Sequence, residues 1–295
     1  ATPVADCIMG AVDYMEKLHR HDESAIGIQT GYDDLDRNIT GLQAGEMFVL
    51  AARPSIGKTA FALNIAANMA LREESPVPVG IFSLEMSREL LTLRLLCSEA
   101  RVNLADIREG AVSRARWTEI TEAAGRFREA PICIDDTGNL DIVEMRAKAR
   151  RMVQKFGTRV FVVDYLQLMK SSAGPNATRE NEVAKNSMGI KSLAKELGVP
   201  IVVLAQLNRQ AEQPGQRPKL SHLRESGAIE QDADVVALLH RERAAEPGED
   251  DNREMEAELI IAKHRNGPTG TVPLTFLKQY TRFESRARFG DADVP

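Results

Sequence analysis

Apolar residues recur at three- and four-residue intervals through Val4, Ile8, Val12, Met15 and Leu18, the stripe of an amphipathic helix over residues 4–20. The polar, glycine-containing run HDESAIGIQTGYDDLD follows, so this helix is expected to stand apart from the main core. The stripe suits packing on its own domain and docking on a neighbouring subunit equally well. From Gly45 the pattern changes to short apolar runs alternating with helical stretches. MFVLAA (47–52), VGIFSLE (79–85), PICIDD (131–136), RVFVVDYLQL (159–168) and PIVVLAQLN (200–208) read as buried strands. Between them lie the helical TAFALNIAANMAL, a helix opening at Ser87 as N-cap, a helical stretch over 140–156, and a long helix near 179–197 ending at Gly198. ADVVALLH, EAELIIAKH and TVPLTFL make a strand-rich tail, and EPGEDDNREME reads as a charged surface loop. Continuous apolar strands between helices predict an α/β fold, a mostly parallel sheet with helices on both faces.

Length and composition narrow the class without choosing a function. The 295 residues suit one large α/β domain with a short extension. Hydrophobic residues make up 43% and charged residues 27%, the balance of a folded soluble protein rather than a disordered one. No apolar run approaches the roughly 18–20 residues that a membrane helix requires, and the start lacks the basic and long apolar regions of a signal peptide. A cytoplasmic protein without membrane partners is expected. Cys7, Cys97 and Cys133 are far apart and form no metal-binding spacing. The net charge of −5 neither indicates nor excludes nucleic acid, because a local basic loop holds phosphates whatever the outside carries.

The chemistry begins at Ala52-Arg53-Pro54-Ser55-Ile56-Gly57-Lys58-Thr59, a P-loop pattern in which Ala52 replaces the first glycine. Backbone N–H groups of such a loop and of the following helix wrap phosphates. Lys58 then reaches the β and γ phosphates of ATP, and the Thr59 hydroxyl ligates Mg2+. Asp164 ends the apolar run FVVD, where a P-loop ATPase orients magnesium with its Walker-B carboxylate. Glu85 ends the run SLE, where a carboxylate polarises the water attacking the γ-phosphate.

Several further segments then fall into one order. ARPSIGKTAFALNIA, FSLEMS, VVDYLQLM, LAQLNR, LRESGAIEQDAD and KHRNGPTG resemble the motif series of the DnaB-type replicative DNA helicases. TGYDDLDRNITGLQAGEMFVLAARPS resembles the opening of that family's motor domain, and the similarity runs from about residue 26 to about 285. The resemblance implies a RecA-like core over residues 26–295 preceded by a linker helix and connector over 1–25. It implies ATP and Mg2+ as cofactors and 5′-to-3′ movement on single-stranded DNA by a homohexameric ring. Glu85 would be the catalytic base, Asp164 the magnesium-orienting carboxylate, and Gln206 the γ-phosphate sensor. Lys263 and Arg265 would reach the adjacent subunit's site, Arg265 as the arginine finger. Arg224, Glu225 and Gly227 match a pore loop that holds single-stranded DNA, and KSSAGPNAT with Arg179 matches a second such loop. Primase and a helicase loader are the implied partners. The family's N-terminal helical domain has no counterpart here, which implies a fragment or truncated form. A regulatory ATPase of the KaiC or RadA type shares the core and is the alternative. LRESGAIEQDAD and SLEM favour the helicase, and no zinc-ribbon spacing supports RadA.

Overall fold

The structure is a computed structural model that describes residues 3–19, 26–170, 178–208, 217–241 and 254–286. The α1 helix covers Val4–His19. Its apolar residues Val4, Ile8, Met9, Val12 and Met15 are all exposed, so packing against its own domain, one of the two arrangements the stripe allowed, is not adopted.

Among the described residues the centre is a nine-stranded sheet. In chain order its strands are β1 (Met47–Ala52), β2 (Val79–Ser83), β3 (Ile132–Asp135), β4 (Val160–Asp164), β5 (Ile201–Gln206), β6 (Val235–Arg241), β7 (Glu254–His264), β8 (Gly270–Leu277) and β9 (Arg282–Ser285). In space they run β3-β2-β4-β5-β1-β6-β7-β8-β9. The pairings from β3 to β6 are parallel, and those from β6 to β9 are antiparallel. The helices are α2 (Asp33–Ile39), α3 (Lys58–Ala70), α4 (Arg88–Glu99), α5 (Leu104–Glu109), α6 (Arg114–Glu129), α7 (Ile142–Phe156), α8 (Arg179–Leu197) and α9 (Gly227–Asp232).

Strand β1 shows why the sheet needs cover on both sides. Phe48, Leu50 and Ala52 enter one core with α3, while Met47, Val49 and Ala51 enter a second core with α7 and α8. Alternate residues face opposite sides of a strand, so a continuous apolar run demands two apolar layers. The α3 sequence is rich in alanine and buried nearly all round, which lets it lie close against the sheet.

Several elements depart from the expected boundaries. The second strand ends at Ser83, two residues before Glu85. There the Ser83 hydroxyl donates to the Met86 carbonyl (2.7 Å) and accepts from the Met86 N–H (3.2 Å), which turns the chain off the sheet. The fourth strand ends at Asp164, and Leu166–Leu168 forms a 3-10 turn instead of continuing it. Glu254–Glu256, expected in a charged loop, open β7. The rest of that loop, residues 246–253, like residues 171–177 of KSSAGPNAT, lies outside the described residues. Helices α2, α5 and α6 and strand β9 were not anticipated. β9 carries Phe283 into an aromatic cluster with Phe61 and Phe276, and Tyr32 donates to the Phe283 carbonyl at 3.0 Å. That cluster fixes the opening segment and the tail onto α3.

Candidate functional site

Strands β1, β2, β4, β5 and β6 end side by side at their carboxyl ends, where open parallel sheets collect ligands. Ala52 pairs with Gln206 on one side and Leu239 on the other, and Ser83 pairs with Asp164. Sheet register alone therefore brings the P-loop, Glu85, Asp164 and Gln206 together from four separate stretches of sequence.

Ala52 is the buried last residue of β1, and its small side chain enters the same core as α3. Arg53, Pro54, Ser55 and Ile56 make the turn, with Ser55 in the left-handed region (φ 66°) and Ile56 buried. Gly57 caps α3 with φ 110°. A Cβ there would sit 3.0 Å from the Phe283 ring, so both the backbone angle and the packing require glycine. Lys58 and Thr59 begin α3, whose first N–H groups have no partner within the helix and point towards the loop.

The Thr59 hydroxyl donates to Asp164 Oδ2 at 2.8 Å, and Lys58 Nζ lies 3.9 Å from Oδ1 and 4.4 Å from the Tyr165 ring centre. Asp164 is 2% exposed, and Oδ1 is buried without a hydrogen-bond partner. Burial pushes the Asp164 carboxyl up, Lys58 and the Thr59 hydrogen bond pull it back, and Glu85 adds to the rise. Burial likewise pushes the Lys58 ammonium down, opposed by Asp164 and Glu85. A cation held against Asp164 would favour its ionised form. Glu85 is exposed, and its charge acts on Lys58, Asp164, Arg94 and Tyr165.

Two residues at this site were not anticipated. Arg94 is partly buried on α4 within LLTLRLL, and its charge acts on Asp164. Its signal in the sequence was an arginine set in an apolar helix face, which is costly without an anionic partner. Arg241, at the end of β6, donates from Nε to the Ile56 carbonyl (2.8 Å) and from NH2 to the Ser55 carbonyl (2.7 Å). Its guanidinium also lies 4.4 Å from the Phe276 ring centre. These two hydrogen bonds hold the loop's carbonyls on the side of β6. Arg241→Ala is expected to raise the ATP KM roughly tenfold, the equivalent of one charge-assisted hydrogen bond. The expected change in kcat is less than about threefold, and steady-state kinetics check both values.

Gln206 is exposed at the end of β5. Its N–H donates to Gln167 Oε1, and its carbonyl accepts from Gln167 Nε2, both at 3.4 Å. The Gln167 carbonyl in turn accepts from Arg179. Arg179 opens α8 and is 61% exposed, so it is linked to the end of β5 through a single residue. Two residues beyond Gln206, the Asn208 N–H donates to the His222 carbonyl at 3.1 Å. The stretch read as a pore loop is a 3-10 helix over Leu220–Ser226 that runs into α9, with Gly227 exposed at the junction. The side chains of Arg224 and Glu225 lie outside the described residues.

Lys263 and Arg265 are not with the others. They lie at the opposite end of the strands, where Lys263 pairs with Val236 and the Arg265 N–H donates to the Asp234 carbonyl at 2.8 Å. The six residues of β1 separate the two ends, a length of roughly 17–20 Å at about 3.3 Å per residue. Arg265 therefore cannot serve the P-loop of its own chain.

A strand, glycine loop and helix facing a buried strand-end carboxylate, on a sheet of this order, define a RecA-like P-loop ATPase core. The profile of the DnaB-like helicase C terminal domain family matches residues 27–285. The chain belongs to that family. It is 44% identical over 99% of its length to the replicative DNA helicase DnaB of Geobacillus stearothermophilus. Identity is 46% over 97% to the protein of that name from Leifsonia xyli subsp. xyli. It spans 64% and 62% of those two relatives, a little under two thirds of each. Among solved structures, an isolated ATPase domain matches with a TM-score of 0.86 at 35% identity, covering 95% of this chain and 99% of that one. A DnaB-like replicative helicase, whose structure was solved with its interactions with primase, matches with a TM-score of 0.80 at 36% identity. That match covers 92% of this chain and 65% of the other. No described helix is long and apolar enough to cross a membrane.

Proposed function

We propose that this chain is the motor of a cytoplasmic replicative DNA helicase. It hydrolyses ATP to travel 5′ to 3′ along one DNA strand within a homohexameric ring, with the other strand excluded. One observation carries the reading. In a chain matched almost end to end by replicative helicases, the P-loop site and the Lys263–Arg265 pair lie at opposite ends of the same strands. A site at one end and a candidate cation pair at the other suit a head-to-tail ring, in which each subunit completes its neighbour's site. The matched relatives favour this reading over a KaiC- or RadA-type switch.

Bound ATP with Mg2+ would supply the reactive phosphoanhydride and the divalent charge that neutralises it. The residues present fit that pair, since Asp164 offers a buried Oδ1 that has no hydrogen-bond partner, and the Thr59 hydroxyl meets the same carboxylate. Thr59 and Asp164 would hold the metal. Loop N–H groups and Lys58 would bind the β and γ phosphates. Glu85 orients the attacking water and accepts its proton, a role that suits an exposed carboxylate within electrostatic reach of Lys58. Gln206 reads the γ-phosphate and passes its state through Gln167 to Arg179. Arg265 of the adjacent subunit stabilises charge on the transferring group. Arg179, Arg224, Glu225 and Gly227 contact single-stranded DNA through its backbone, as a motor that crosses any sequence requires. Residues 1–25 serve as linker helix and connector ahead of the motor at 26–295, and primase and a helicase loader are the proposed partners.

Strand separation on forked DNA with either a 5′ or a 3′ loading tail tests the reading. Unwinding that needs ATP and the 5′ tail is expected. Hydrolysis without unwinding on either tail by the full-length ring would favour the switch-like alternative.

A further inference from the structure

Arg265 does not project freely from its strand end. Its NH1 donates to Asp234 Oδ1 at 3.1 Å and its NH2 to the Gln231 carbonyl at 3.0 Å, although the side chain stays 47% exposed. Asp234 joins α9 to β6 and is only 4% exposed. Its second oxygen, Oδ2, accepts from the Met47 N–H at 2.8 Å and from Lys191 Nζ at 2.5 Å. One buried carboxylate thus ties together the start of β1, helix α8 through Lys191, and the arginine.

The elements meeting there lead to both candidate DNA segments. Helix α8 begins directly after residues 171–177, and α9 directly after the 3-10 helix at Leu220–Ser226. The two helices are also joined by Ser187, which donates to Asp232 at 2.7 Å. Lys263 is tied to the same place, since its Nζ donates to the Glu230 and Ala233 carbonyls at 2.5 and 2.8 Å. Both cations are therefore held by groups that belong to these two helices or directly follow them. A long guanidinium that must meet a developing charge gains from being held in place beforehand, and a displacement of about 1 Å at a reacting group costs up to roughly 100-fold in rate.

We propose that Asp234 is a positioning residue for Arg265, and the joint through which the two DNA segments set where that arginine points. The inference rests on the role given to Arg265 above and adds how that role is controlled. Asp234 need not touch the nucleotide. It holds the cation that reaches the neighbouring subunit, and Lys191 brings α8 to the same carboxylate.

The test is Asp234→Asn in the full-length ring, with assembly verified by mass photometry and with Arg265→Ala beside it. Asparagine keeps the shape and an oxygen acceptor but removes the charge that grips both cations. The expected result is a fall in kcat of about tenfold or more with the ATP KM within about twofold. A residue that only stabilised the fold would lower the melting temperature and leave the turnover of assembled rings unchanged. Wild-type turnover in Asp234→Asn rings, beside an inactive Arg265→Ala, would overturn the inference and leave the finger assignment standing. Wild-type turnover in both would overturn the finger assignment itself. Should Asp234→Asn fail to assemble, Lys191→Met decides, since it leaves the Asp234–Arg265 pair in place and releases α8 from Asp234 and from the Gly45 carbonyl, which Lys191 Nζ also reaches at 2.9 Å. Basal hydrolysis is then expected within about twofold of wild type, with stimulation by single-stranded DNA reduced about threefold or more. Undiminished stimulation would overturn the proposed joint.

Discussion

Replacing Lys58 by alanine is expected to lower ATP hydrolysis by at least about 10³-fold and to abolish unwinding, because the site loses the cation nearest the β and γ phosphates. The ammonium lies 3.9 Å from Asp164 Oδ1 and 4.4 Å from the Tyr165 ring centre. Burial already pushes Lys58 towards its neutral form, and only Asp164 and Glu85 oppose that drift. A phosphate chain would add negative charge on the same side and strengthen the ionised form. Lys58→Met keeps most of the stem's packing without the charge, and should be as inactive as Lys58→Ala if charge is what matters. Steady-state hydrolysis with single-stranded DNA checks both variants. Turnover near wild type in either would remove Lys58, and with it the loop, from the assignment.

The second large effect is expected from Arg265→Ala. Hydrolysis should fall by about 10³-fold or more, as loss of an arginine finger does in other phosphoryl-transfer sites, while nucleotide binding stays within about threefold. The two effects should separate because Arg265 lies at the far end of the strands from its own P-loop, and in the proposed role it would act only on charge that develops during transfer. The same geometry predicts complementation. When Lys58→Ala and Arg265→Ala subunits are mixed equally, roughly a quarter of interfaces pair an intact P-loop with an intact arginine. Mixed rings should regain hydrolysis that neither variant shows alone. Rings that stay inactive on mixing, with subunit exchange verified, would argue that both residues act within one chain.

What the chain alone specified follows from local rules. The apolar run MFVLAA, the left-handed turn at Gly57 before Lys58, the Ser87 cap and the Gly198 terminus are each written in a few neighbouring residues, and each was legible in sequence. The P-loop was legible for the same reason, since the backbone N–H groups that such a loop offers a phosphate are set by one short turn. Boundaries were less so. Nothing in VGIFSLE marks the stop at Ser83, because that stop depends on the Ser83 hydroxyl reaching Met86. Strand β9 is four residues long and gains its place from the Phe61 and Phe276 rings, which are distant in the sequence.

Tertiary structure decided which residues meet. Sheet register brought Asp164 to Thr59 across 105 positions, and it placed Arg241 behind Ser55 and Ile56. Neither contact is written in a local pattern. Resemblance suggested a role for Arg265, but only the antiparallel return of β7 along β6 put it at the end of the strands opposite Lys58. Asp234 stood in the sequence as one acid among several in EQDAD. Burial beside two cations and the first N–H of β1 sets it apart from the others, because a buried charge is tolerated only where the fold supplies its partners.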